Sequence, residues 1–467
     1  MKWILSVFSF LMMAEISHAA CDQTLSPGAN VASAVSSAPA GATICLNAGS
    51  YGNVQFTNFS KSPRVTVQSV SGRTATLSAN YYNASGIDLK SLTISGLDIR
   101  NGSRNITAQG NTFTGQTVIN MGSNGGNYGD ANILLDGNTF DGISVCTNCY
   151  EGRVEVISSL PCGVTISNNH FGGAGESDGI QMSAKGLKIG PGNVFEGIIQ
   201  GNYGRHVDAI QGVGQSGTII TGNYFFNNTI NIGFYDGGSS EQITHNVFGP
   251  PRDNLQNLQL GGIQGMIMAH NTFRNTIIAH GTKSGDTANS GWTVRDNIFV
   301  NSDLINSGDQ LQCNNCVYNS NLFDASSSSR GTNALIGSPT FVGGSAPSTW
   351  AGYQLTSSSL GYRAASDGLD LGPSSFGGTP PPPPPVSLAA PTNLRVVSLA
   401  YNQVKVQWDS SSSSQSGFIV NRKAGSGSYA QAASVSSSTL SYTDAAVAAS
   451  TQYCYQVKAY DSSSQSA

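Results

Sequence analysis

The chain has 467 residues and a net charge of -4, with 10% charged residues and 56 glycines. That length leaves room for two or more domains. The balance of charge, with no basic block, excludes nucleic acid as the main partner. The start "MKWILSVFSFLMMAEISHAA" carries a lone Lys2, an apolar run, and small residues at Ala19 and Ala20. It reads as a signal peptide over residues 1–20, too short to be a membrane span. No later segment is apolar enough to cross a bilayer. The expectation is an exported protein, extracellular or periplasmic, with no membrane span. Eight cysteines follow: Cys21, Cys45, Cys146, Cys149, Cys162, Cys313, Cys316 and Cys454. In an oxidising compartment they read as disulfides. A zinc ion held jointly by "CTNC" and "CNNC" is the alternative, and the connectivity is open.

An Asn-x-Phe triplet recurs nine times, at Asn111, Asn138, Asn169, Asn193, Asn223, Asn246, Asn271, Asn297 and Asn321. Successive asparagines are 27, 31, 24, 30, 23, 25, 26 and 24 residues apart. An apolar residue usually stands three positions earlier, as at Leu135, Ile166, Ile220, Ile243, Met268 and Val294. This predicts a short strand, a turn at Asn, and a buried Phe. Helical periodicity is absent, and glycines punctuate the region every few residues. Each unit is too small to bury its own apolar face, so neighbours must stack. Stacking at strand spacing lines up the asparagines, and separately the phenylalanines, ~4.8 Å apart. Asn tolerates left-handed backbone and can hydrogen-bond to its neighbour in the stack.

With these features residues 21–378 resemble the right-handed parallel β-helix proteins of the pectate-lyase type. The stretch "NVASAVSSAPAGATICLNAGSYGNVQF" resembles that superfamily's entrance, where a helix (here residues 31–38) caps the open end of the coil. A strand and a Gly-x-Tyr turn follow. Residues 379–390 fall in the stiff proline-rich stretch "GGTPPPPPPVSLAAP" and read as a linker. Residues 391–467 resemble a fibronectin type III β-sandwich: Trp408 ends an alternating strand, and "YCYQVKAYD" resembles the strand of the tyrosine corner. At 77 residues the module is shorter than the ~100 usual for such sandwiches, and its last strand is missing. Such modules space domains or bind a glycan or cell surface. The predicted fold class is therefore all-β, a solenoid followed by a sandwich.

Two stretches, "ESDGIQM" and "RHVDAIQG", share an Asp-x-Ile-Gln core. Asp178 and Asp208 each lie 15 residues before the next ladder asparagine, and Gln181 and Gln211 lie 12 before it. By the same count Asn231 and Gln256 continue the first column, and Gln259 the second. The expectation is one polar ladder of Asp178, Asp208, Asn231 and Gln256. A second ladder, 17 before each mark, holds Glu176, His206, Thr229, Asn254 and His280. Long intervals place insertions at 143–161 and 196–205, predicted as loops that wall a cleft. Stacked Asn and Gln also occur in solenoids for purely structural reasons, because they hydrogen-bond in series. Two carboxylates one rung apart instead repel each other, so the acidic pair carries the functional reading.

In the superfamily that the coil resembles, polyuronate lyases and C5-epimerases are prominent. The resemblance therefore implies an extended, uronate-containing polysaccharide as substrate. Removing a C5 proton requires neutralising the substrate carboxylate, a base, and an acid. His206 is the candidate base, with Tyr203 and Tyr235 as candidate acids. Arg205 and Gln211, or Lys185, would hold the carboxylate. Glu176, Asp178 and Asp208 offer hard oxygen ligands for Ca²⁺. Gln181, Gln211, Asn231, Asn254, Gln256, Gln259 and His280 are candidate substrate contacts. The leading expectation is a polysaccharide lyase working by β-elimination. A C5-epimerase is the nearest alternative, then a glycoside hydrolase built on Asp178 and Asp208. A non-catalytic glycan-binding adhesin is the reading from a different class.

Overall fold

A computed structural model describes residues 20–122, 128–145, 152–173, 175–200, 206–252, 256–279, 287–302, 313–324, 331–374, 390–410, 415–460 and 465–466, with Gln256, Ser398 and Leu399 described by their backbone alone. The expected signal segment before Ala20 and most of the proline-rich linker lie outside these residues. The chain divides into two units, Met1–Pro382 and Pro383–Ala467. The first is a right-handed parallel β-solenoid of about 11 turns.

One coil illustrates the rest. Strand Ile219–Thr221 joins the first sheet, Asn223 turns the chain, and Tyr224–Phe226 joins the third sheet. A second turn at Asn228 leads to Ile230–Phe234 and Gly238–Ser239 in the second sheet, and Gln242–Thr244 then starts the next coil. Among the described residues the three sheets contain 13, 16 and 8 strands, and the strands of this coil pair in parallel with those of neighbouring coils. No coil closes a core by itself, so each is stable only against its neighbours.

The asparagine turns explain why the sequence repeats. Asn246 accepts hydrogen bonds from the backbone N–H of Asn223 (3.0 Å) and from its Nδ2 (3.0 Å). Its own Nδ2 donates to the Ile220 carbonyl (2.9 Å) and to Asn271 Oδ1 (3.1 Å). The same pattern links Asn111, Asn138 and Asn169 and runs on to Asn321, all of them buried. Each amide is both donor and acceptor, so identical residues satisfy one another indefinitely. Beside this ladder the phenylalanines stack from Phe113 to Phe323, with successive ring centroids 4.4–5.0 Å apart. Strand spacing sets that distance. The left-handed backbone falls on the residue before each ladder asparagine: Gly110, Gly137, Asn168, Gly192, Gly222, His245, His270, Asp296 and Ser320. The sequence suggested that the asparagine itself would carry it. The amide must point inward to reach its neighbours, so the preceding residue absorbs the turn.

The N-terminal end is covered by helix Val31–Ser37, with Asn30 accepting the Ser33 N–H at 2.9 Å as its cap. Cys21, just before the first strand, forms a disulfide with Cys45 in the second, and Cys313 pairs with Cys316. Cys162 and Cys454 are free thiols; Cys146 and Cys149 lie outside the described residues. A zinc site shared by the two Cys-x-x-Cys pairs does not fit the Cys313–Cys316 disulfide. Beyond the last coil, Phe341, Tyr353, Leu355 and Leu371 pack on Tyr224, Val247, Ile298 and Leu322. Those four alternate with core residues along the third sheet, so they line its outer face. Residues 341–372 thus form a strap across that face.

Among its described residues the second unit has two three-stranded antiparallel sheets, Thr392–Ala400/Gln403–Asp409/Ser441–Asp444 and Ala430–Ser436/Gly417–Ala424/Tyr453–Tyr460. Its core is Val406, Trp408, Phe418, Val420, Val457 and Ala459. Asp444 is held by Arg422 at 2.9 Å and by the Tyr455 hydroxyl at 2.9 Å.

Truncating one ladder asparagine tests the structure. Asn246→Ala strands the Asn223 amide and the Ile220 carbonyl in the core, at about 1–3 kcal/mol per unsatisfied group. Chemical denaturation is expected to show a loss of about 3 kcal/mol; a change under about 0.5 kcal/mol would remove the ladder from its structural role.

Candidate functional site

The site sits on four neighbouring strands of the second sheet: Asp178–Lys185, Asp208–Gly212, Ile230–Phe234 and Gln256–Leu260. Ile180, Ile210, Ile232 and Leu258 stack in register as core residues. The next position along each strand holds Gln181, Gln211, Gly233 and Gln259. Gln181 Nε2 donates to Gln211 Oε1 at 3.1 Å. On its other side Gln181 stands opposite Glu155.

The two aspartates meet as the spacing requires. The Asp208 backbone N–H donates to Asp178 Oδ1 at 2.8 Å, and both side chains are buried. Asp178 Oδ2 is buried with no hydrogen-bond partner. His206 Nδ1 stands 3.4 Å from Asp208 Oδ2, and the Tyr235 hydroxyl donates to Asp208 Oδ1 at 3.4 Å. The His206 and Tyr235 rings lie 4.8 Å apart, tilted by 49°. His206 and Tyr235 are half-buried, so the ring pair fronts the carboxylates. Gly233 makes this packing possible, because a Cβ there would collide with the Asp208 carboxylate and the Tyr235 ring.

Burial pushes the Asp178 carboxyl well above the usual carboxylate range, and the neighbouring Asp208 pushes it further. Burial raises Asp208 too, opposed by His206 and Tyr235. Two desolvated carboxyls on adjacent rungs cannot both ionise cheaply, so the pair retains a proton. Burial and the Asp208 charge hold the Tyr235 hydroxyl in its protonated form, its pKa raised. Beneath Asp178 lies Arg153, fully buried, donating to the carbonyls of Phe140 (2.8 Å), Gly172 (2.7 Å) and Gly173 (3.2 Å). Its charge partly offsets the raised Asp178.

Other expected members fall elsewhere. Asp208 stands opposite Ile230, so Asn231 is one position off the column. Its Oδ1 accepts from Asn228 Nδ2 at 3.1 Å in the interior. Ile230 is 16 residues before Asn246, whereas Asp208 is 15 before Asn223. The extra residue in the later turn shifts the count by one, and one residue exchanges the faces of a strand. Gln256 does fall in register with Ile230, by extension of the Ile232–Leu258 pairing. Glu176 is half-buried, and its backbone N–H donates to Ser144 Oγ at 3.2 Å. Lys185 is exposed at the far end of its strand, beside Pro161 and Ser216, up to roughly 23 Å along the strand from Asp178. Tyr203, Arg205, Asn254 and His280 lie outside the described residues.

The predicted loop at 143–161 ends in a ten-residue strand, Gly152–Pro161, because Val154 and Val156 alternate into the core. Of the 196–205 insertion, Ile198 is buried and its N–H donates to Asn228 Oδ1 at 2.9 Å.

The expected calcium ligands do not converge. Among the described residues, three possible ligand atoms come within 4.8 Å of one another at His270, Asp296 and Asp367, away from Glu176, Asp178 and Asp208. A hard cation takes roughly 6–8 oxygens, and the buried aspartate pair suits a retained proton better. At the His270 cluster the Arg295 guanidinium already bonds Asp296. Among the described residues no helix is long and apolar enough to cross a membrane.

The fold and site define a parallel β-solenoid with a buried acidic pair fronted by an imidazole and a phenol. No family model matches the chain, and no curated protein matches it in sequence. Among solved structures it is similar to the A-module of a mannuronan C-5 epimerase from Azotobacter vinelandii, at 10% identity, covering 66% of this chain and 93% of that one with a TM-score of 0.30. It is also similar to the Dettilon tailspike protein, at 10% identity, covering 89% of this chain and 87% of that one with a TM-score of 0.28. Neither likeness assigns a role to any residue here.

The acidic pair has a consequence for stability. A carboxyl whose folded pKa is raised stabilises the fold below its unfolded value, and that contribution is lost as pH rises through the folded value. Asp178 is raised, so the wild type is expected to lose stability from mildly acidic toward neutral pH. Asp178→Asn keeps the acceptor for the Asp208 N–H and should flatten that slope. At neutral pH it should be more stable than the wild type, because it removes the carboxyl that burial and Asp208 raise. Urea denaturation at several pH values measures this, and a variant destabilised at neutral pH would contradict it.

Proposed function

We propose that this chain is an exported carbohydrate-active enzyme, a polysaccharide lyase that removes the C5 proton of a uronate residue in an extended chain. The observation that carries the reading is Asp208, a buried carboxylate placed against both His206 and Tyr235. With Nδ1 facing Asp208, the imidazole takes the orientation of a general base whose Nε2 serves the substrate. Tyr235 keeps its proton and can pass it to the leaving glycosidic oxygen as His206 takes the C5 proton. The C4–O bond then breaks and a C4–C5 double bond forms. Gln181 spends an amide hydrogen on Gln211 Oε1, so the Gln211 amide hydrogens are the nearer donors for the substrate carboxylate. No step here runs through calcium.

A C5-epimerase shares the abstraction and differs in returning a proton to the opposite face of the sugar. A glycoside hydrolase fits less well, because Asp178 and Asp208 are both buried behind the ring pair. We read the second unit as a fibronectin type III module that binds a glycan or cell surface. Its support is the pair of antiparallel sheets around Trp408 and the Tyr453 hydroxyl, which accepts the Ala448 N–H at 3.1 Å. Export is supported by the leader-like start and by the Cys21–Cys45 disulfide.

Incubation with a panel of polyuronates, followed by the ultraviolet absorbance of unsaturated uronyl ends, tests the reading. His206→Ala and Tyr235→Phe should each lower kcat by about 10²–10⁴ while thermal unfolding stays within a few degrees of wild type. A flat trace on every glycan, with epimerisation also absent by NMR, would leave the non-catalytic glycan-binding reading. Two fully active variants would move the chemistry away from this site.

A further inference from the structure

The strap is tied to the coils at the left-handed turn positions. The Trp350 indole N–H donates to the His245 carbonyl at 2.8 Å. Ser366 donates its backbone N–H (2.6 Å) and hydroxyl (2.7 Å) to Asp296, and the Gly372 N–H donates to the Asp296 carbonyl at 2.9 Å. His270 presents Nδ1 to the Asp370 carbonyl oxygen at 3.2 Å and Nε2 to Asp367 Oδ2 at 2.9 Å, with Asp296 Oδ2 at 3.7 Å. Within the strap itself the described backbone hydrogen bonds are mostly short-range turns, without the inter-coil ladder that holds the solenoid. Such a segment belongs to the low-stability end of a structure.

His245 takes one of these ties on its backbone carbonyl. Its ring stacks on His270 with centroids 4.8 Å apart and planes 13° apart. The charged and titratable groups around it are His270 and, one coil further, Arg295 and Asp296, with Asp367 from the strap. Both nitrogens of His270 face acceptors, and Arg295 is already paired with Asp296. A proton added to His245 is therefore opposed by burial, by His270 and by the Arg295 charge, with Asp367 the favourable neighbour.

We propose that residues 341–372 form an acid-released strap: protonation of His245 beside His270 and Arg295 frees the segment from the third sheet while the coils stay wound. Burial and His270 hold the His245 imidazole down to about 4, against an ordinary value of 6.5. A depressed imidazole favours the closed form above pH ~6.5, and that preference is lost as pH falls toward ~4. Asp367, held below its ordinary range, mainly through the Leu369 N–H, His270 and Arg295 against the opposing effect of burial, contributes only at more acidic pH. The window from 6.5 to 4 thus belongs to His245. Release would uncover Tyr224, Val247, Ile298 and Leu322.

Hydrogen exchange on the full chain, expressed as protection factors at pH 7 and pH 4.5, tests this. The strap amides of Val342, Thr356, Leu371 and Gly372 are expected to lose protection by about 10²-fold, while the ladder amides of Asn223 and Asn246 hold theirs. His245→Asn, which tolerates left-handed backbone, should remove the dependence on pH. Joint loss in strap and ladder, or strap protection indifferent to pH, would overturn the proposal. An NMR titration of the His245 ring in the wild type is independent of how any variant folds. A midpoint near 6.5 there would equally overturn it.

Discussion

Everything in the solenoid depends on a self-complementary group repeating at strand spacing. A carboxamide offers two donors and an acceptor, so a column of asparagines ~4.8 Å apart can satisfy itself without water. That permits a buried turn, which otherwise strands backbone groups in the core. Once the turn can be buried, the phenylalanine that follows it can stack on its equivalent in the next coil. The same phase fixes the three sheets. Asn193, for example, ties Ile166 of one coil to Asn223 of another, so a slip in one coil would break hydrogen bonds in two others.

The candidate site applies the same geometry to a group that is not self-complementary. Stacking equivalent positions is favourable for Gln181 on Gln211 and unfavourable for Asp178 on Asp208. The coil enforces both, since one strand pairing carries them. The pair is tolerated because the Asp208 N–H, His206, Tyr235 and the buried Arg153 each relieve part of the repulsion. A repeat that would accept asparagine at either position instead concentrates two acids there, and that local departure from the scaffold's own logic marks the site.

The spacing of Asn-x-Phe was enough to read the solenoid, because each unit contacts its neighbours at nearly the same sequence interval. The pairing of Asp178 with Asp208 was legible for that reason. Asn231 was misplaced because its register was counted backward across a turn that holds one extra residue. Strand Gly152–Pro161 was read as loop because the cysteines before it masked the alternation of Val154 and Val156. Arg153 gave no signal, since its partners are three backbone carbonyls. The strap was invisible for a related reason: Asp367 and Trp350 reach His270 and His245 across 97 and 105 residues with no repeat to announce them.

The residue before each ladder asparagine shows how one backbone requirement shapes a whole face. Its left-handed conformation suits glycine, and Gly110, Gly137, Gly192 and Gly222 supply it in the earlier coils. A non-glycine residue there costs about 1–2 kcal/mol, so each exception needs a compensating contact. Asn168 has one, donating from Nδ2 to Asp136 Oδ1 at 2.7 Å. His270 and Asp296 have theirs in the strap, and His245 in Trp350 and the stacked His270 ring. Glycine gives way to these side chains in the coils that the strap crosses. The strain of the turn is offset there by contacts that hold a distant segment, so the same backbone requirement that shapes the coil also seats the strap on it.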